Sequence, residues 1–300
     1  MINHLETNNF VKPTMHATNF SIRLFVLLIL VFVSTVAQAQ VPVHAQGLKE
    51  ELLVVDLGAN LKQAGVLSVK IGTAGHTRLA VLLPGYPSVV RPVVENGIMV
   101  NSKLNGNFLI RARRQLADEA IATLIVDCHS NSGDYCSSTY QASQERQLHV
   151  QKLIDEAKKR IPSIQEVWLV GTSMGTISSS FMPVYAPTAY TGAIHTAAIT
   201  EPLARNSYRE LSGFDYRQSK VPQFFVHHKN DPCHLTTWLG AKSLSDKFGA
   251  TLITVNGGSG FQGGACEAFT EHGFRGKEKE VMAAIAVIIK TGQPAALSID

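Results

Sequence analysis

Ser173 lies at the centre of the pentapeptide Gly171-Thr172-Ser173-Met174-Gly175, which matches the pattern G-x-S-x-G. An apolar run, Val167–Val170, precedes the pattern, and small residues that can open a helix follow it. A serine on such a tight strand-to-helix turn presents its hydroxyl at the end of a sheet. Glycines at both ends let the two backbones approach closely. The pattern predicts a nucleophilic serine, with an ordinary strand-to-helix turn as the alternative.

A serine hydroxyl becomes an effective nucleophile when a base takes its proton and an acid orients that base. In a doubly wound sheet, such groups gather in the loops at the carboxyl ends of the strands. Asp231 follows the predicted strand Pro222–His228, and His272 lies in the loop after the predicted strand Ala250–Val255. We therefore predict that Ser173 is the nucleophile, His272 the base and Asp231 the acid.

Other residues compete for the acid and base roles. Asp246 lies inside a predicted helix and Asp215 in a polar segment, which makes both weaker candidates for the acid. His195 lies in the middle of a predicted strand, as a hydrogen-bonded core histidine would. His227 and His228 end a strand just ahead of the acid, where we expect them to support its loop or to pack.

Acyl transfer also requires two hydrogen-bond donors for the oxyanion that forms. The backbone N–H of Met174, directly after the nucleophile, is the first predicted donor. The second is expected from the loop after the predicted strand Arg78–Leu83, whose prolines have no N–H. In that loop Gly85 would let the backbone approach a substrate, and Tyr86 is the predicted donor.

A metal site is an alternative interpretation of one segment. Potential ligands within eight residues are His227, His228, Asp231, Cys233 and His234. Their spacing matches no standard zinc pattern. Adjacent histidines on a strand also point to opposite faces. We therefore predict neither a metal nor a cofactor.

The elements that would position these residues alternate along the chain from Arg78 onward. The runs Arg78–Leu83 and Ile121–Asp127 are short and continuously apolar, which is typical of strands buried on both faces. Asn107 is a suitable N-cap for a helix to about Ala120. The alternation predicts an α/β fold, with a doubly wound, mainly parallel sheet flanked by helices.

Two segments between these elements are expected to lack regular structure. Mixed polarity and several Asn and Gly residues predict a long loop over 88–106. The segment between the strands near Gly192 and Pro222 is about twenty residues, which predicts a small cap and an open site. Tyr208, Phe214 and Tyr216 are candidates to line the cleft, or to anchor the cap to the core.

Composition excludes some classes of function. The chain has 300 residues, of which 45% are hydrophobic and 17% charged, enough for one large core or two small ones. A net charge of +4 is too small and too dispersed to indicate nucleic-acid binding. The densest basic runs, Arg111–Arg114 and Lys158–Arg160, fall on predicted helices. We expect both runs to form solvated faces.

Residues 1–39 have the pattern of a secretory signal. Arg23 precedes the apolar run Leu24–Val33, and Ala37-Gln38-Ala39 supplies an A-x-A cleavage site. The apolar run is short for a membrane span, although an uncleaved anchor is an alternative. The long polar stretch before Arg23 points to Met15 as the true start. We predict that 1–39 are removed and that 40–300 form a single domain, secreted or periplasmic, with no stable membrane insertion.

The four cysteines are Cys128, Cys136, Cys233 and Cys266. An even count in an exported protein suggests two disulfides, for which three pairings are possible. A Cys128–Cys136 bridge would close a short loop, and a Cys233–Cys266 bridge a longer one, worth about 3–4 kcal/mol. We hypothesise that the second bridge ties the loop of the acid to the loop of the base.

The elbow GTSMG, Asp231 in HHKNDPC and His272 in EHGF follow the order Ser–Asp–His, and in this respect the chain resembles the α/β-hydrolase superfamily. The resemblance covers roughly 78–291. It is strongest to small exported bacterial members with short caps, of the serine-esterase and dienelactone-hydrolase-like kind. Pro84 departs from the His-Gly pattern of many relatives, which affects the assignment of Tyr86.

The resemblance implies a serine hydrolase that acts through an acyl-enzyme without a cofactor. A small-molecule carboxylic ester is the expected substrate. Cleavage of an amide or peptide bond by the same residues is one alternative. A non-catalytic relative that binds a ligand is another.

Overall fold

Nine strands form one twisted sheet in the part of the chain that the structure describes. The structure is a computed structural model and describes residues 41–201 and 208–300. The expected signal segment lies outside the described residues, as does part of the expected cap. Among the described residues, none of the helices has the length and apolar character needed to cross a bilayer.

The strands are β1 Leu48–Gly58, β2 Leu61–Lys70, β3 Arg78–Leu83, β4 Val93–Glu95, β5 Ile98–Asn101, β6 Ile121–His129, β7 Glu166–Thr172, β8 Gly192–Thr196, β9 Gln223–His228, β10 Thr251–Val255 and β11 Ser298–Ile299. The helices are α1 Phe108–Leu116, α2 Ser138–Gln141, α3 Gln144–Arg160, α4 Thr176–Tyr185, α5 Trp238–Phe248 and α6 Glu278–Thr291.

The sheet order is β1-β2-β6-β3-β7-β8-β9-β10-β11. β1 and β2 form an antiparallel hairpin that also pairs antiparallel with β6, and every other neighbouring pair is parallel. The carboxyl ends of β3, β7, β8, β9 and β10 therefore meet at one edge. The predicted fold class, a mainly parallel sheet flanked by helices, is confirmed.

Strand β3 shows why its sequence is apolar throughout. Ala80 and Leu82 pack into the core layer that includes α1 and α6. Leu79, Val81 and Leu83 alternate with them and pack into the layer that includes α3. Because successive side chains of a strand point to opposite faces, a strand covered on both sides must be apolar at every position.

The structure differs from the sequence-based expectation at two places near α1. The expected loop over 88–106 contains the β4–β5 hairpin, a separate two-stranded sheet. Helix α1 begins after the N-cap Asn107 as predicted, but ends at Leu116. Its end is fixed by Asp118, whose Oδ1 accepts hydrogen bonds from the backbone N–H groups of Ala120 and Ile121. These bonds begin the turn into β6.

The prediction of a solvated basic face over Arg111–Arg114 is wrong for Arg113. Its side chain is 0% exposed and pairs with Glu50, also 0% exposed, through Nε–Oε1 and Nη2–Oε2 hydrogen bonds of 2.7 and 2.9 Å. Ser68 and the backbone N–H of Met99 donate to the same carboxylate. A buried charge is tolerated when its partners satisfy it this completely. The pair ties α1 to β1.

Two core histidines give the stability of the fold a pH dependence. His195 bonds Ser179 Oγ at 2.8 Å and Gln223 Oε1 at 2.7 Å, and His227 Nε2 accepts from the Ala198 N–H at 2.8 Å. Burial lowers the pKa of His195 to about 4. It is also the main cause that lowers the pKa of His227 to about 4.

We therefore expect the free energy of unfolding to fall between pH 6.5 and pH 4. In that range unfolded histidine binds a proton that the folded histidine refuses, so acidification favours the unfolded chain. Each histidine lowers the free energy of unfolding by up to about 3 kcal/mol at the acidic end of this range, and neither lowers it above pH 6.5. Denaturant unfolding at pH 7, 6, 5 and 4.5 measures it. A flat profile over this range would contradict charge-free burial of His195 and His227.

Candidate active site

Ser173 occupies the turn between β7 and α4 with a backbone φ of +51°, in the left-handed region. Non-glycine residues rarely adopt this conformation, so the surrounding chain must hold it. The two glycines of the pentapeptide make the turn possible. A Cβ at Gly171 would lie 2.8 Å from the carbonyl oxygen of Gly175, and a Cβ at Gly175 would overlap the carbonyl oxygen of Leu83. The sequence therefore folds into the sharp elbow that the pattern predicts.

Asp231 and His272 meet although they belong to different loops, one after β9 and one after β10. The distance between His272 Nδ1 and Asp231 Oδ2 is 3.1 Å, and their side chains are 6% and 0% exposed. Asp231 Oδ1 also accepts from the backbone N–H of Cys233 at 2.9 Å. The rival acids are engaged elsewhere: Asp215 pairs with Arg217, and Asp246 with Lys242.

Thr236 belongs to the same cluster. Its hydroxyl donates to Asp231 Oδ2 at 2.8 Å and lies 3.0 Å from His272 Nδ1. The threonine is fully buried, so no water competes for these contacts. A threonine five residues after an aspartate carries no recognisable signal in the sequence. The path of the loop after β9 brings it into place.

A cavity of about 450 Å³ opens where the strand ends meet. Apolar and uncharged residues dominate its wall, which also includes Ser173, His272 and Glu267. The lining residues are Gly85, Tyr86, Asn107, Phe108, Thr172, Ser173, Ile199, Tyr208, Cys233, Leu235, Cys266, Glu267, Ala268, His272 and Gly273. An apolar pocket with a few convergent polar groups is typical of a small-molecule site.

Ser173 and His272 share this cavity, but no hydrogen bond joins their side chains in the described part of the chain. His272 uses Nδ1 for its contacts with Asp231 and Thr236. Hydrogen bonds between a nucleophile and its base are often long without substrate and shorten in the complex. The predicted nucleophile, base and acid are therefore in one region, with Asp231 behind the histidine.

The loop after β3 lies against Ser173. A Cβ at Gly85 would lie 2.9 Å from Ser173 Cβ, so the backbone at this position faces the serine directly. Tyr86 lines the cavity, and Met174, the residue after the serine, is buried. Tyr86 therefore follows a residue that packs against Ser173, and Met174 follows Ser173 itself, but the role of both as oxyanion donors stays a prediction.

Asp127, at the carboxyl end of β6, anchors the far side of this loop. Its carboxylate accepts from the backbone N–H groups of Val90 at 2.7 Å and Arg91 at 3.0 Å. The Arg91 guanidinium adds an ion pair with Asp127 at 3.1 Å. In the sequence Asp127 ends an apolar run, as many strand-terminal residues do, and nothing in that pattern signals this role. It connects the expected oxyanion loop to the neighbouring strand.

The cysteines lie in two pairs at disulfide distance. Cys128 is paired with Cys136 and Cys233 with Cys266, with S–S distances of 2.15 and 2.04 Å. The second pair connects the loop of Asp231 to the loop that leads to His272. Cys233 and Cys266 also line the cavity.

The remaining candidates have structural positions. Of the two alternatives for the cap aromatics, Tyr208 follows the first and lines the cavity, whereas Phe214 and Tyr216 follow the second and pack into a core cluster with Phe225. His228 bonds the carbonyl of Gly257 at 2.8 Å. In the described ranges, no three His, Cys, Asp or Glu residues are grouped as metal ligands would be.

The sheet order, the elbow and the loops at its edge define the α/β-hydrolase fold, and solved structures bear this out. Est1E from Butyrivibrio proteoclasticus is similar with a TM-score of 0.55 and 12% identity, over 80% of this chain and 97% of that chain. An α/β serine hydrolase without a lid from Xanthomonas campestris has a TM-score of 0.56 and 13% identity, over 83% of this chain and 97% of that chain.

A cold-adapted esterase from an Arctic intertidal metagenomic library, solved with polyethylene glycol, has a TM-score of 0.50 and 13% identity, over 71% of this chain and 86% of that chain. At such low identity, these similarities establish the fold. No protein-family model and no curated protein matches the sequence.

Proposed function

We propose that the protein is a serine hydrolase that cleaves carboxylic esters through an acyl-enzyme. The observation that carries this proposal is the hydrogen-bonded Asp231–His272 pair, which faces the same cavity as a serine held on a strained elbow. A binding protein has no use for a buried carboxylate behind a histidine. The combination is what nucleophilic catalysis by serine requires.

The proton inventory of the pair favours His272 as the base. An ionised Asp231 can only accept hydrogen bonds, and it accepts from Thr236 and from His272 Nδ1. Nδ1 therefore carries the proton of the neutral imidazole, and Nε2 is left as the acceptor. In the proposed reaction Nε2 takes the proton of Ser173 as Oγ attacks the acyl carbon.

The later steps use the same groups. The backbone N–H groups of Met174 and Tyr86 stabilise the oxyanion of the tetrahedral intermediate. His272 gives its proton to the leaving alcohol, and Ser173 keeps the acyl group. Water, activated by His272, then attacks the ester carbon and releases the acid. No cofactor enters this sequence.

Three observations support an ester as the substrate class. The cavity wall is mainly apolar, and the described cap residues, 197–201 and 208–222, contain 3-10 turns rather than a long lid helix. Similar structures are named as esterases, and Est1E has been solved with ferulic acid bound. Hydrolysis of amides by the same residues is the second candidate, since the mechanism differs in the leaving group.

The proposal includes export. The signal-like segment 1–39 would be removed, and 40–300 would act as one domain in the periplasm or outside the cell. Two cysteine pairs at disulfide distance support an oxidising compartment. The proposed Cys233–Cys266 disulfide would fix the acid loop relative to the base loop.

A fluorophosphonate probe tests the function. The wild-type protein is expected to gain one covalent adduct on Ser173, detected by intact mass and peptide mapping. Ser173→Ala should gain none, and Ser259→Ala, which removes an exposed loop hydroxyl, should label normally. A folded wild-type protein that does not label would refute the proposal. Turnover of an ester and an amide with the same acyl group then separates the two candidates.

Thr236 is proposed as a positioning residue for His272. We expect Thr236→Val, which keeps the shape but removes the hydroxyl, to lower kcat about fivefold, because about 1 kcal/mol of hydrogen bonding to the pair is lost. KM should change little, and the acidic limb of the kcat/KM profile should shift.

Thr251→Val is the matched control, since Thr251 lies on β10 and its hydroxyl has no hydrogen bond within the described residues. If Thr236→Val keeps the wild-type pH profile and kcat, the hydroxyl does not act through His272.

A further inference from the structure

A second cavity, of about 580 Å³, lies beside the first between α1, α6 and the loop that precedes α6. Its wall is rich in charged residues, unlike that of the first cavity. The charged residues among its lining are Arg111, Arg114, Arg275, Lys279, Glu278 and Glu280. Four cations and two carboxylates leave a net charge of +2 on these six side chains. His44 also lines the cavity, but burial lowers its pKa and so favours its uncharged form.

Two of the guanidinium groups share one carboxylate. Arg111 donates to Glu278 Oε1 from Nε at 3.1 Å and from Nη2 at 3.0 Å. Arg275 Nη1 lies 3.7 Å from the same oxygen, outside hydrogen-bond distance. Both guanidiniums also flank the ring of Phe269, at 5.1 and 5.4 Å from its centroid. The arrangement therefore contains more positive charge than its single carboxylate can neutralise.

Hydrogen-bond donors remain available at this site. Within the described part of the chain, the guanidiniums of Arg275 and Arg114 donate no hydrogen bond, and the Arg275 side chain is 40% exposed. The Arg111 side chain, by contrast, is 11% exposed and fully engaged. The guanidiniums of Arg275 and Arg114, which both line the second cavity, therefore keep their donors available.

We propose that this second cavity binds a small oxyanion, a carboxylate, phosphate or sulfate, between Arg275 and Arg114. The planar guanidinium fork matches the two oxygens of such groups and binds them through charge-assisted hydrogen bonds. The anion supplies a second negative charge for Arg275, whose guanidinium shares the carboxylate of Glu278 with Arg111 and lies beyond hydrogen-bond distance from it.

The position of the cavity next to the candidate active site indicates two sources for the anion. Gly106 packs against the ring of Phe269, since a Cβ at Gly106 would lie 3.0 Å from that ring. Its neighbours Asn105 and Asn107 line the second and the first cavity, so this contact forms a ridge between them. A free anion can bind on the far side of this ridge. Alternatively, the acidic end of an ester can reach across it while the reacting carbonyl stays at Ser173.

Arg111 connects the two cavities. Its guanidinium donates to the carbonyl oxygens of Gly106 and Gly273, both at 2.6 Å. Gly273 follows His272 and lines the first cavity. An anion bound beside Arg111 would therefore interact with the guanidinium that holds the backbone of the His272 loop through Gly273.

The first arm of the test measures anion binding without catalysis. Isothermal titration of Ser173→Ala with inorganic phosphate, at constant ionic strength, is expected to show saturable one-to-one binding. Arg275→Gln and Arg114→Gln, each added to that background, should weaken it about tenfold, since each removes charge-assisted hydrogen bonds. Arg217→Gln is the matched control, because Arg217 also stacks on a phenylalanine but is paired fully with Asp215.

The second arm rests on the proposed esterase function. It compares p-nitrophenyl monoesters of dicarboxylic acids of increasing length with their methyl esters, which have the same reach and no charge. If the anion is the substrate's own, one chain length of the acid should give a KM about tenfold below that of its methyl ester. Arg275→Gln and Arg114→Gln should remove this preference, and Arg217→Gln should keep it.

The outcomes separate the two sources. Phosphate binding without preference for acidic esters identifies a free anion, and a preference that the arginine variants remove identifies an acidic substrate. The proposal is overturned when acidic esters are not preferred and phosphate either does not bind or binds equally to the three arginine variants. If the protein lacks esterase activity altogether, the first arm alone supports or overturns it.

Discussion

His272→Gln is expected to lower kcat by about 10⁴- to 10⁶-fold while the protein keeps its fold. Glutamine approximates the size of histidine, and its amide can still donate a hydrogen bond to Asp231. It cannot take a proton from Ser173 or return one to the leaving group. The variant therefore loses general base catalysis and, with it, the activation of Ser173. Steady-state ester hydrolysis and fluorophosphonate labelling rates both measure it.

His234→Gln provides the matched control. His234 is exposed in the loop that also carries Asp231, so its replacement should leave kcat within about twofold of the wild type. Circular dichroism and the unfolding midpoint should be the same for both variants. If His272→Gln retains more than a tenth of the wild-type kcat, another group is the base, and the proposed mechanism is wrong.

Gly175→Ala is expected to destabilise the protein by about 3–5 kcal/mol or to prevent folding. The added Cβ would overlap the carbonyl oxygen of Leu83 and lie 2.6 Å from that of Pro84. These are backbone atoms at the end of β3, and they cannot rotate away as a side chain can. The φ of Gly175 is −64°, which alanine adopts freely, so the effect is one of contact and not of backbone conformation.

Chemical denaturation of Gly175→Ala and Gly264→Ala gives the comparison. The nearest atom to a Cβ at Gly264 is 3.6 Å away, an ordinary van der Waals distance. Gly264→Ala should therefore change the free energy of unfolding by less than about 0.5 kcal/mol. A loss below about 1 kcal/mol in Gly175→Ala would mean that β3 and the elbow can separate, and that the close approach at Ser173 is not required.

The two cavities differ in the chemistry they can recognise. The first is apolar around Ser173 and His272, whereas the second presents guanidiniums on the other side of Phe269. An ester that used both would have an uncharged reacting end and an acidic distal end. Arg111 lies between them, and it was expected from the sequence to be part of a solvated face. Its hydrogen bonds to Gly106 and Gly273 give it a structural role instead.

Several features were predictable from sequence because neighbouring residues encode them. The continuous apolar run of β3, the N-cap Asn107 and the glycines around Ser173 each impose a local conformation whatever the rest of the chain does. The alternation of strands with helices then limits the fold to a mainly parallel sheet. The loops of Asp231 and His272 follow consecutive parallel strands, so their arrival at one edge could also be expected.

Contacts between distant segments were not predictable in this way. Arg113 belongs to a basic run, and its burial depends on Glu50, 63 positions away in the chain. Thr236 lies beside His272 because of the path that one loop takes, and Phe214 and Tyr216 turn into the core because Phe225 provides a surface for them. Periodicity and turn chemistry describe a residue's own segment, whereas partners across the fold depend on strand order and loop path. Thus the nucleophile turn and the fold class follow from local sequence, and the completed cluster around His272 follows from the packing of β9, β10 and their loops.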